Sequence, residues 1–121
     1  MFNIKVLDCT LRDGGYVNNW DFGLSLSQKF IKNIDEAKIE YAEIGFLKDT
    51  EYNQEKTVFS DIKQVNNIIP TDFKHYSKIV AMIVYGNFDV SKIVPKTEDI
   101  TLDDIRVTFK KNEIESVFDY L

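Results

Sequence analysis

Ile79 to Tyr85, IVAMIVY, constrains this chain more than any other stretch, because its seven residues are all apolar or aromatic. A half-exposed strand alternates apolar and polar side chains. An unbroken apolar run suits a strand covered on both faces, the usual state in a parallel sheet. Three further segments read as strands: Ile4 to Leu7, Ile39 to Phe46 (IEYAEIGF) and Ile105 to Phe109 (IRVTF).

Between the strands the apolar residues fall at helical spacing. Leu26, Phe30, Ile34 and Ala37 share one face of a helix that opens near Ser25, and Ser25 and Gln28 have the spacing of a capping box. Val58, Phe59, Ile62, Val65 and Ile69 mark a second helix, which Pro70 ends. Asp89 to Val94 reads as a brief helix stopped at Pro95, and Ile114, Val117, Phe118 and Leu121 form a last helical face. The order βαβαβαβα predicts an α/β fold with a parallel sheet and right-handed crossovers. Two architectures meet it: a small doubly wound sheet, and parallel (β/α) units forming roughly half of a TIM barrel, which needs ~250 residues when complete. No glycine, proline or basic turn closes the last helix before Leu121. On that ground residues 1–121 are expected to be the N-terminal half of a truncated barrel domain.

Composition narrows the classes. With 121 residues, 44% hydrophobic and 29% charged, the chain suits one soluble domain with its own core. A net charge of −5 and a pI near 4.8 argue against nucleic acid as a partner, since phosphate binding needs a basic patch. No apolar run approaches the ~20 residues that cross a bilayer. The start, MFNIKVLD, lacks the pattern of a signal peptide, and Cys9 is the only cysteine, so a cytoplasmic location is expected.

In parallel α/β folds, functional residues gather beyond the carboxyl ends of the strands. Arg12 and Asp13 follow the first strand, Glu43 lies at the end of the second, and Tyr85 to Asn87 and Thr108 to Lys110 follow the third and fourth. Asp13 can offer an oxygen to a hard divalent ion. Arg12 can stabilise an enolate or a carboxylate with a rigid, permanently charged fork. Glu43 can orient a metal-bound water or pair with Arg12. Gly14 and Gly15 allow a sharp turn and a close approach to a ligand. The charged segment Lys48 to Lys56 (KDTEYNQEK) is long for a strand-to-helix connection and is a candidate substrate loop. Trp20 and Phe22 are placed to cover the first loop. The competing reading makes RDGG an ordinary turn and Glu43 one half of a strand-end salt bridge. His75 is expected to be an exposed loop residue, and Cys9 a buried strand residue rather than a thiolate nucleophile.

"LDCTLRDGGY", with "EIGF" and "IRVTF" in strand order, resembles the metal-dependent aldolase and lyase superfamily of 3-hydroxy-3-methylglutaryl-CoA lyase, 4-hydroxy-2-oxovalerate aldolase and 2-isopropylmalate synthase. The resemblance implies a TIM barrel whose active site opens with the arginine–aspartate pair. It assigns enolate stabilisation to Arg12, a divalent metal (Mn2+ or Mg2+) to Asp13, and a place near the metal to Glu43. The family completes its metal site with a late His-x-His pair, which this sequence lacks. Gly14 stands where the family often has glutamate. Tyr16 stands about where its hydroxy-oxo acid aldolases carry a catalytic histidine, and a phenol there can donate a proton to an alkoxide or hold substrate.

The resemblance therefore implies a parent enzyme that cleaves or forms a carbon–carbon bond in 2-oxo or 4-hydroxy-2-oxo acids, with Arg12, Tyr16 and Glu43 catalytic and Asp13 a metal ligand. This chain alone is expected to be inactive and to hold no metal, since one carboxylate rarely retains a hard divalent ion. Two alternatives are a Claisen-type acyltransferase of the isopropylmalate synthase kind and a non-catalytic α/β module for binding or assembly. Unpaired edge strands and an open inner face predict self-association, as a homodimer.

Overall fold

The apolar run at residues 79–85 lies in the middle of a parallel sheet. In the computed structural model, which describes residues 3–121, five strands make one sheet: β1 (Leu7–Asp8), β2 (Tyr41–Leu47), β3 (Val58–Phe59), β4 (Lys78–Val84) and β5 (Asp104–Thr108). The order is β1-β2-β4-β5, with β3 on the end of β2, and every pairing is parallel. The strands follow one another in chain order with no reversal, as consecutive (β/α) units do; a doubly wound sheet reverses at a switch point. β1 and β5 are the edges.

The two faces of the sheet differ. Ala42, Ile44 and Leu47 of β2 and Ile79, Ala81 and Ile83 of β4 point to one side and join the main core with Ile31, Ile34, Ile62, Val65 and Ile68. Glu43, Phe46, Val80 and Met82 are also buried but lie outside that cluster. Glu43 is in register with Val80, Phe46 with Met82, and Met82 with Arg106, so these residues share the other face. β4 is thus buried on both sides at five successive positions, as its sequence requires.

Among the described residues there are four α-helical segments: α1 (Thr10–Asp13), α2 (Gly15–Asn18), α3 (Leu24–Glu36) and α4 (Ile114–Tyr120). Several boundaries differ from the sequence reading. The first strand is Leu7–Asp8 rather than Ile4 to Leu7, and Ile4 and Val6 are exposed at the sheet edge. The capping box at Ser25 and Gln28 does not form. Gly23 caps α3 with φ 81°, and the Glu55 carboxylate accepts the Leu24 N–H at 2.8 Å instead. The helix is also rotated from the expected face. Ile34 is buried and Phe30 packs on the core, but Leu26 and Ala37 are exposed, while Ser27, Ile31 and Asp35 turn inward. Asp35 explains the rotation, since its carboxylate accepts the N–H groups of Lys74 (2.6 Å) and Ser77 (3.0 Å).

The expected second helix begins too early. Val58 and Phe59 form β3, and only Ile62–Ile68 coils, as a 3-10 helix whose Asp61 side chain accepts the Lys63 N–H. Ile69 is extended before Pro70, which ends the segment as anticipated. The brief helix at residues 89–94 shrinks to a 3-10 turn at Val90–Lys92. On α4 only Val117 is buried; Ile114, Phe118 and Leu121 are exposed. No helix among the described residues is long and apolar enough to cross a membrane.

Candidate active site

The RDGG stretch is not a loose turn. α1 is a single helical turn that ends at Gly14, whose N–H donates to the Thr10 carbonyl, and α2 begins at the next residue. The Asp8 carboxylate accepts the Thr10 N–H at 2.9 Å, satisfying the first donor of α1 from just ahead of its N-cap Cys9. A Cβ on Gly15 would lie 1.9 Å from the Trp20 indole, so glycine lets that ring close over the loop. The indole N–H donates to the Arg12 carbonyl at 2.7 Å and fixes the backbone carrying the arginine.

From that fixed turn Arg12 reaches across to β2. Its Nε donates to Glu43 Oε1 at 2.6 Å, its Nη1 donates to Asp13 Oδ1 at 3.1 Å, and its guanidinium lies 5.9 Å from the centre of the Phe46 ring. The Glu43 side chain has no exposed surface. A lone carboxylate there would be costly to desolvate. A second arginine, Arg106 on β5, donates Nη1 to Glu43 Oε2 at 2.8 Å, so each carboxylate oxygen has its own guanidinium. Burial acts to lower the Arg12 pKa. The hydrogen bond and charge of Glu43 outweigh it, with smaller help from Cys9 and Asp13, and hold the guanidinium above its ordinary value.

A bulge shapes β2 beside this carboxylate. The register shifts between Glu43 and Phe46, and Gly45 between them has φ 151°. A Cβ on Gly45 would sit 2.0 Å from the Thr57 carbonyl oxygen, which accepts the Phe46 N–H at 3.1 Å. That close approach brings the buried Thr57 hydroxyl to the Leu11 carbonyl at 2.8 Å. The base of the connection after β2 is thereby tied to α1.

The structure brings Arg12, Asp13 and Glu43 together. Asp13 is 64% exposed and lies beside Arg12 on the solvent side. Its carboxylate suits a hard divalent ion, but among the described residues no three His, Cys, Asp or Glu side chains converge. Tyr16 is not part of the ion-pair group. It is exposed, and its ring packs edge-on against Trp20 (4.9 Å) and Phe46 (6.4 Å). Cys9 is half-buried just ahead of α1 rather than a buried strand residue. His75 is an exposed loop residue with φ 62°, packed on Phe73 three residues before β4 and so at the opposite end of the sheet.

Arg106 escaped the sequence reading, although its signal was present. In IRVTF it alternates with Ile105 and Val107, so it must face away from the side on which they pack. A cleft of about 360 Å3 opens beside the ion pairs, walled by Tyr16, Trp20 and Phe46 and bordered by Lys48, Lys56 and Asn87. The segment from Lys48 to Lys56 supplies much of its rim.

No family model matches this sequence, and no curated protein matches it either. Among solved structures it is similar to the N-terminal domain of a putative aldolase from Bacteroides vulgatus, with a TM-score of 0.65 and 26% identity. The likeness covers 93% of this chain and 38% of that one. The chain thus spans well under half the length of the structure it resembles, and shares with it an α/β arrangement of parallel (β/α) units.

Proposed function

We propose that this chain is the N-terminal part of an aldolase of the metal-dependent aldolase and lyase superfamily, acting on 2-oxo or 4-hydroxy-2-oxo acids. The observation that carries the reading is Arg12, held at the carboxyl end of β1 by a fully buried Glu43 and flanked by Asp13. The similarity to an aldolase domain supports the same class.

In this reading Arg12 presents its remaining N–H groups to the oxygen on which charge develops when the carbon–carbon bond breaks. Glu43 keeps the fork aimed, and Arg106 keeps Glu43 in place. Asp13 would supply one oxygen to a divalent ion, whose chemistry when bound would be to polarise the substrate's oxo-acid group. Tyr16 and Trp20 close over the substrate and exclude water. The remaining metal ligands lie outside this chain, so alone it is inactive. It works in a cytoplasmic enzyme.

The test is an assay of the full-length protein with Mn2+ or Mg2+ on a panel of 4-hydroxy-2-oxo acids. Arg12→Ala is expected to lower kcat by roughly 100-fold to 1,000-fold, the usual loss when a donor to a developing oxyanion is removed. Asp13→Asn is expected to abolish the response to added metal. Full activity in either variant would overturn the corresponding role.

A further inference from the structure

The sequence marks Lys48 to Lys56 as an unusually long charged connection, and the ion-pair site leaves it without a task. Its two terminal lysines border the same cleft. Among the described residues neither ammonium has a hydrogen-bond or ion-pair partner, as for most lysines here; ion pairs engage Lys32, Lys63, Lys92 and Lys96, so what distinguishes Lys48 and Lys56 is their shared place on the cleft. One carboxylate, Glu51, lies on the cleft rim against the two ammonium groups. The opposite wall is an edge-packed aromatic cluster, with Tyr16 to Trp20 at 4.9 Å and Trp20 to Phe46 at 5.6 Å. Phe46 also lies beneath the Arg12 guanidinium, so the cleft and the ion-pair site share a wall.

We propose that this cleft holds a second anionic group of the substrate, a carboxylate or a phosphate at the far end from the oxo-acid head. Lys48 and Lys56 bind the anion, and the aromatic wall packs on the aliphatic carbons between the two ends. The volume falls in the range of small-molecule sites, ~300–1,000 Å3. An apolar wall with a few convergent polar groups is the usual anatomy of such a site. The assignment of the head to Arg12 rests on the aldolase reading; the anion site rests on the cleft alone.

Trp20 is the only tryptophan in the chain and lines the cleft, so its fluorescence reports occupancy directly. The chain is titrated with 2-oxoglutarate, 2-oxopentanoate, glutarate and inorganic phosphate. 2-Oxoglutarate is expected to bind at least tenfold more tightly than 2-oxopentanoate, which has the same chain length without the second carboxylate. The double variant K48M/K56M should erase that preference, and K48R/K56R should keep it, with circular dichroism confirming that both fold. If phosphate titrates Trp20 and competes in a lysine-dependent way while the dicarboxylates do not, the tail is a phosphate. If glutarate binds as tightly as 2-oxoglutarate through the lysines, the anion site stands and the oxo-acid reading fails. Equal affinity for the two oxo acids with no response to phosphate, a preference that survives K48M/K56M, or no binding by any probe would overturn the proposal.

Discussion

At the scale of single residues, Glu43 carries the most consequence. It is a charged side chain in the interior of a strand, and its burial is tolerable because two guanidiniums share it. Glu43→Gln would leave Arg12 partly buried opposite a neutral amide, and breaking a buried pair of this kind costs about 3 kcal/mol. The expected result is a lower urea midpoint with an unchanged m-value; an unchanged midpoint would mean that the pair adds nothing to stability. Arg12 and Asp13 were legible in the sequence because they follow the first strand; Glu43, expected at the end of the second, lies inside β2 and was legible as a charge within an otherwise apolar strand. Arg106 was not, since a lone arginine in a short strand looks like a solvated charge until its buried partner is known. Tyr16 could be read from the sequence either as a proton donor or as a packing residue; in the structure its ring packs on Trp20 and Phe46.

At the scale of elements, strands read more reliably than helices, for a physical reason. β4 is marked by an apolar run that only burial explains, β2 by a largely apolar stretch and β5 by alternation, and their bounds move by one or two residues. Helical spacing is less exclusive over a few residues. Val58 and Phe59 fit a helical face, yet the room made by Gly45 lets the chain pair with β2 there instead. The face of α3 was set by Asp35, whose long-range bonds to Lys74 and Ser77 no local spacing could reveal. α4 depends on a similar tie: the Tyr120 hydroxyl donates to the Phe88 carbonyl at 2.5 Å. Desolvation raises the phenol above its usual pKa, and the charges of Asp49 and Asp89 add to the rise. The folded state therefore keeps a proton that the unfolded chain has lost. The resulting stability is fully present below about pH 10 and is lost as pH rises through the raised value. Melting temperature is expected to fall more steeply above pH 10 for the wild type than for Tyr120→Phe, which should cost about 1 kcal/mol at neutral pH. Parallel alkaline profiles would dissociate Tyr120 from the effect.

At the scale of the molecule, β1 and β5 each have one neighbour, and Ile4, Val6, Ile114, Phe118 and Leu121 are exposed around them. Edges and apolar surface of this kind favour association. We expect the chain to form a homodimer that covers them, measurable by size-exclusion chromatography with light scattering; a monomer at high concentration would exclude it. The Arg106–Glu43 pair has a further geometric consequence. β4 lies between β2 and β5, so the arginine must span two strand spacings, about 10 Å, to reach its partner. The salt link therefore ties β2 to β5 across the strand between them, on the face that carries Glu43, Phe46 and Met82, so the register of three strands is held by one pair of side chains as well as by the backbone ladder.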